Sequence, residues 1–145
     1  MINLDKELVG RIRSLELVYT DKPQPQLLIQ IPDVKLVNDC EVQITTQEFT
    51  SLCPFNVSQP DYAKITIRYK PDGCTVELKS LKFYLASFRQ VPVFHELIPD
   101  MILTALTALV QPEYASVEGN FTTRGGLDTS VSAFYSILPK VGEDK

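Results

Sequence analysis

The chain has no tryptophan, a single histidine, only three cysteines and six glycines among its 145 residues. One imidazole with no C-x-x-C, C-x-x-H or H-E-x-x-H spacing leaves too few ligands for a catalytic zinc, which takes three from the protein. No metal is expected. Cys40, Cys53 and Cys74 form an odd, sparse set, which suits free thiols in a reducing compartment better than a disulfide framework. No apolar run reaches the roughly 18–20 residues that a membrane span requires; the longest, residues 101–110, reads as a core helix. Positive charge is in deficit, with 14 Lys and Arg against 18 Asp and Glu. That balance argues against electrostatic coating of nucleic acid, and no stable nucleic-acid partner is expected. Glycine-rich dinucleotide and Walker loops, internal repeats and low-complexity tracts are missing as well. So is a cationic start followed by an apolar stretch, so no secretory leader is expected and the chain is placed in the cytoplasm.

What is present suits one globular domain, with 44% apolar and 22% charged residues. Residues 1–40 read as a β-rich extension, 41–137 as the core and 138–145 as a polar tail. In the extension, strands are expected over 14–20 and 26–31, around the break Asp21-Lys-Pro-Gln-Pro. Residues 41–46 make a further strand, with Val42 and Ile44 on one face. Residues 49–61, with two prolines, read as a loop, and loops on rigid scaffolds often carry chemistry. Residues 62–70 alternate apolar and polar as a half-buried antiparallel strand does. Pro71-Asp72-Gly73 is a turn signal, and 74–79 is expected to return as the second arm of a hairpin.

A helix follows over 80–90, with Ser80 as its N-cap and Pro92 limiting its end. Its outer face carries Lys82, Ala86 and Arg89, with Phe83 close by; Lys79 joins if the helix begins earlier. A second helix, 94–110, has a core stripe at three- and four-residue spacing. Pro99 forces its start to about His95 and Glu96, putting both at an exposed helix entrance. Strands over 113–121 and 127–137, joined by Thr122-Thr-Arg-Gly-Gly, close the chain. The expected fold is α+β: ββααββ, a four-stranded antiparallel sheet with two helices on one face, after the β-rich segment.

The chemically able side chains each admit two readings. Cys53, in the loop, is a nucleophile if a neighbour helps ionise it, and otherwise a small apolar residue. His95, Glu96 and Asp61 could supply proton transfer and a substrate anchor, or serve as helix-terminus polar groups. The stripe Lys79, Lys82 and Arg89, with Arg124 and the Gly125-Gly126 turn, could hold phosphates, or be solvated surface. Phe83 amid those cations offers a stacking face. Cys40 and Cys74 read as structural.

Taken together, FTSLCP, QPDYA, VELKSLKFYLASFR, FHE and GNFTTRGGLDTSV resemble, in order and spacing, the single-domain NADPH-dependent 7-cyano-7-deazaguanine reductases of queuosine biosynthesis. The resemblance spans about residues 41–137. It implies a tunnelling fold, a homo-oligomer that closes a barrel, and sites between subunits. It implies that Cys53 attacks the nitrile carbon to form a thioimide, that Asp61 activates the thiol and moves protons to nitrogen, and that His95 lies beside the reacting group. Glu96 would anchor the deazapurine, with Glu77 and Ser80 on the substrate side. Lys79, Lys82, Phe83, Arg89, Arg124 and Gly125 would bind NADPH. Asn56-Val57-Ser58 replaces the family's Thr-Gly pair, so Asp61 stands eight positions after Cys53 rather than seven. Gln90-Val-Pro-Val replaces the polar residues common before FHE. Two other readings remain open: an amidine-forming enzyme using the same thioimide with ammonia on tRNA, and a non-catalytic purine- or pterin-binding protein of the same fold.

Overall fold

The computed structural model describes residues 4–138. Four strands form one antiparallel sheet in the order β2 (Val42–Leu52), β3 (Pro60–Tyr69), β5 (Tyr114–Arg124), β6 (Leu127–Ser136). Helices α2 (Leu78–Ala86) and α3 (Leu97–Val110) separate the two hairpins in sequence. The expected ββααββ arrangement is therefore present.

Alternation builds the layers. Ala63, Ile65, Ile67 and Tyr69 of β3 and Ala115, Val117 and Phe121 of β5 are buried against Ile98, Ile102 and Leu106 of α3 and Leu81, Tyr84 and Phe88 around α2. The opposite sheet face carries Thr45, Lys64, Thr66, Arg68, Glu118 and Asn120. A period of two with one apolar side buries one face and wets the other. The second hairpin turns through Gly125 and Gly126, both at positive φ (55° and 77°), between the paired residues Arg124 and Leu127. Two left-handed residues in a two-residue loop match the strand twist, and glycine adopts them without strain.

Several expectations need correction. The N-terminal extension is not β-rich. It opens with a helix, α1 (Lys6–Arg13), capped by the Asp5 carboxylate accepting from Glu7 N. Residues 15–20 are irregular, although Leu15 and Leu17 are half-buried; Leu17 and Tyr19 lie across a cavity from β2 and α2 instead of pairing with the β2 edge. Of 26–31, only β1 (Gln30–Ile31) is a strand, preceded by a 3-10 turn at Pro25–Leu27. Strand β2 runs on to Leu52, past a bulge between Thr46 and Phe49, so the loop is confined to residues 53–59.

Residues 74–79 do not form a hairpin with β3. Both edges of β3 are occupied, by β2 and β5, and Gly73 at φ 81° turns the chain away. Thr75–Val76 becomes β4, paired with β1 in a separate two-stranded sheet. Helix α2 starts earlier than expected, and its N-cap is Glu77 rather than Ser80. The Glu77 carboxylate accepts from Lys79 N and Ser80 N at 2.9 and 2.7 Å. Ser80 lies buried in the first turn, where its hydroxyl donates to Glu77 O and accepts from Ile29 N. The helix ends in a 3-10 turn over Ser87–Gln90. Beyond Leu138 the polar tail lies outside the described residues.

Candidate active site

The chain after α2 is the device that assembles the site. Leu52 N donates to Val91 O, and Val93 N donates back to Leu52 O, at 3.0 and 3.2 Å. This parallel contact clamps the Val91-Pro92-Val93 segment beside the end of β2. The Phe94-His95-Glu96 stretch is thereby delivered next to Cys53, the first residue after that strand. The departure Gln90-Val-Pro-Val thus has a structural use: two valines buried against the sheet edge set the position of His95.

The longer loop keeps its base intact. Cys53 N donates to Gln59 O at 3.1 Å, and Gln59 N donates to Asn56 O at 2.8 Å. Asn56 also accepts from Ser58 through both its backbone N–H and its hydroxyl. The additional residue is absorbed in this self-bonded tip, so Cys53 and Gln59 still face each other and Asp61 still enters β3 behind them.

A cavity of about 460 Å³ results, lined by Cys53, Phe55, Gln59, Asp61, Phe94, His95, Glu96 and Arg124, among others. Its centre is the Asp61 carboxylate, whose side chain is only 9% exposed. Oδ2 lies 3.2 Å from His95 Nε2, and Oδ1 lies 3.2 Å from Arg124 Nη2. Burying a carboxylate is costly without partners of this kind. His95 is not at an open helix entrance. Its side chain is 20% exposed, and its ring stacks on Phe121 at 3.9 Å, with the planes 7° from parallel. Asp61 fixes one edge of the imidazole and Phe121 fixes its plane. Glu96 is exposed at the N-cap of α3 but makes no capping hydrogen bond with its side chain, which leaves the carboxylate available to a ligand. Phe55, 87% exposed, meets Phe94 edge-on at 5.7 Å on the cavity lip.

The expected site residues fall into two places. Cys53, Asp61, His95, Glu96 and Arg124 share this cavity. Lys82, Phe83 and Arg89 line a second cavity, of about 520 Å³, between α2, β2 and Leu17 and Tyr19 of the N-terminal segment. The two cavities have no lining residue in common. Lys79 Nζ donates to Ile12 O at the end of α1, a favourable place for a cation, and sits 5.6 Å from the Phe83 ring centre. Arg89 lies over the Tyr19 ring at 4.9 Å. Glu77 and Ser80 are occupied in capping and buried bonds at the start of α2. Gly125 follows Arg124 at the hairpin tip.

Gln59, Phe121, Gly119 and the two clamping valines escaped sequence reasoning. Only the β5 alternation, which puts Phe121 on the helix-facing side, hinted at any of them. Cys74 is half-buried; its thiol donates to Val110 O, and burial pushes its pKa up, with Asp72 adding to the effect. Among the described residues, no three His, Cys, Asp or Glu side chains gather as a metal ligand set, and no helix is long and apolar enough to cross a membrane.

Gly119 offers a test of the ring support. A methyl group there would meet Phe121 Cε2 at 2.9 Å and Cζ at 3.1 Å, with Ile65 behind. Gly119→Ala should therefore displace the ring beneath His95, costing about 1–3 kcal/mol of stability and about tenfold or more in turnover. Denaturant titration and steady-state rates check this; wild-type turnover would show that His95 does not depend on Phe121.

Fold and site together define a tunnelling-fold domain built around a cysteine, a buried carboxylate and an imidazole. The sequence model of the QueF-like protein family matches residues 60–138. A protein of Thermomicrobium roseum named NADPH-dependent 7-cyano-7-deazaguanine reductase is 48% identical over 108 residues, covering 74% of this chain and 84% of that one. One of Exiguobacterium sibiricum with the same name is 44% identical over 132 residues, covering 91% of this chain and 78% of that one. The solved structure of the archaeosine synthase QueF-Like in its apo form matches with a TM-score of 0.62. It is 24% identical and covers 68% of this chain and 96% of its own, a likeness of fold. The chain belongs to the QueF-like family, as the FTSLCP, ELKSLKFY and FHE motifs led one to expect.

Proposed function

We propose that the protein is an NADPH-dependent nitrile reductase that converts 7-cyano-7-deazaguanine to 7-aminomethyl-7-deazaguanine, a step toward queuosine in tRNA. The observation that carries the reading is the meeting of Cys53, Asp61, His95 and Glu96 in one cavity, in a chain whose relatives bear that enzyme's name. Cys53 Sγ adds to the nitrile carbon. One C–N π bond breaks, an S–C bond forms, and the thiol proton passes by way of Asp61 to the nitrogen, leaving a thioimide. His95, held edge and face, keeps the Asp61 carboxylate aimed at the reacting group and supplies a second proton station. Glu96, free of capping duty, accepts from the amino-pyrimidinone edge of the substrate. Phe55 and Phe94 flank the mouth of the cavity.

NADPH supplies the reducing equivalents, one hydride per molecule and two per nitrile. The cavity beside α2 suits such a ligand: it offers the aromatic faces of Phe83 and Tyr19, and Lys82 and Arg89 for phosphate. Because the two cavities are separate within one chain, the reading requires subunits to bring them together. Apart from the contact of Leu52 with Val91 and Val93, the outer edges of β2 and β6 pair with no strand among the described residues, and they suit pairing with further copies in a closed barrel.

The deciding experiment follows NADPH absorbance on addition of 7-cyano-7-deazaguanine, with intact-mass analysis of the protein. Two NADPH consumed per nitrile is the expected result. An adduct on Cys53 without NADPH loss would move the assignment to the amidine-forming enzyme, and neither signal would leave a binding protein. Lys82→Ala should raise the KM for NADPH about tenfold, as loss of a charge-assisted contact does. Adduct formation, measured without cofactor, should stay at the wild-type rate; an unchanged KM would remove Lys82 from the cofactor site.

A further inference from the structure

Arg124 stands at the end of β5, one residue before the glycine turn, and folds back onto β3. Its guanidinium is committed to three consecutive residues. Nη2 lies 3.2 Å from Asp61 Oδ1 and also donates to the Pro60 carbonyl. The Gln59 amide, with its oxygen turned toward Arg124, accepts from Nη1 and, at 3.0 Å, from Nη2. Among the described residues, Arg124 Nε is buried with no partner. Both terminal nitrogens are spent on the 59–61 segment.

We infer that Arg124 is a positioning residue for Asp61, pinning Oδ1 so that Oδ2 stays on His95 and the carboxylate stays directed into the Cys53 cavity. The inference rests on the nitrile chemistry proposed above and gives Arg124 a task there other than holding cofactor phosphate. The charged and titratable groups facing Asp61 are Arg124 from β5, His95 and Glu96 from the segment before α3, and the Cys53 thiol from the loop after β2; among the described residues no lysine lines this cavity. Without the fork, Oδ1 is free to turn and the carboxylate leaves the position from which it can take the thiol proton.

The test uses Arg124→Gln and Arg124→Lys, and measures Cys53 adduct formation with 7-cyano-7-deazaguanine, without NADPH. In Arg124→Gln the adduct should form about tenfold to a hundredfold more slowly, as a displaced catalytic group does. Arg124→Lys keeps the charge without the fork and should fall between this variant and wild type. The KM for NADPH should be unchanged in both. Normal adduct formation with a raised KM would overturn the inference and make Arg124 a phosphate ligand.

A second measurement needs no substrate. His95 is the only histidine, so its ring signals in NMR are read without ambiguity, and their positions report its contact with Asp61 and its stacking on Phe121. In Arg124→Gln they should shift, and in Arg124→Lys they should shift less. Unmoved signals would overturn the inference. Wild-type protein that forms no adduct would overturn the nitrile reading, and the His95 signals would then decide the role of Arg124 alone.

Discussion

Cys53→Ala is expected to abolish NADPH consumption with 7-cyano-7-deazaguanine and to leave no mass adduct on the protein. The thioimide is the reaction path, and an alanine methyl cannot form it; a remaining rate above about a thousandth of wild type would show that the nitrile is reduced without covalent capture. The substitution should leave the fold intact. Cys53 is half-buried at the head of a loop, and the bonds that hold the loop there come from its backbone N–H and carbonyl, not its sulfur. Glu96 and the aromatic lip are untouched, so the variant should still bind the nitrile reversibly. Calorimetry on Cys53→Ala separates the two effects, since binding without turnover is the outcome that assigns the sulfur to chemistry.

Asp61→Asn should slow adduct formation by about 10²–10⁴-fold near neutral pH, the range associated with a positioned acid–base group. The amide has the shape of the carboxylate but cannot accept the thiol proton, and a cysteine without a base is mostly protonated at neutral pH. The residual rate should therefore climb with pH as hydroxide replaces the lost base, whereas the wild-type rate levels off. A flat, wild-type-like profile would mean that another group takes the proton. The same change leaves Arg124 and His95 without their shared anion. Some loss of stability should accompany it, because a buried pair broken on one side strands the other side. Measuring adduct formation and unfolding on one preparation distinguishes the two consequences.

Some of this was open to a reader of the residues alone. The alternation of residues 62–70 specified a half-buried strand, and residues 60–69 form it. Pro99 limited where α3 could begin, and the helix starts at Leu97, because proline cannot supply the N–H of an inner turn. Gly125-Gly126 specified a tight turn and occupies one. Cys53, Asp61, His95 and Glu96 were each identifiable as chemically able side chains, because their residue types and their places beside loops and caps are local properties.

Other features depended on neighbours far away in sequence. Residues 14–20 were expected as a strand, yet Leu17 and Tyr19 line a cavity opposite β2 and α2 instead of pairing with the β2 edge. Residues 75–76 pair with 30–31 because β3 has no edge left, a consequence of β5 arriving from forty residues later. Glu77 caps the first turn of α2 and Ser80 links it to Ile29, bonds that their place in the sequence alone did not reveal. Arg124 could be placed beside the glycine turn, but that it reaches Asp61 depends on the pairing of β5 with β3.

Residue types and short-range periodicity thus determined which side chains could do chemistry and which segments could be helix or strand. Which of them meet was decided only by the tertiary structure. The Val91–Val93 clamp, the Phe121 ring beneath His95 and the Arg124 fork are all contacts between elements. Their energy comes from burial and hydrogen bonds that exist only once the sheet has closed, so no local stretch of sequence encodes them.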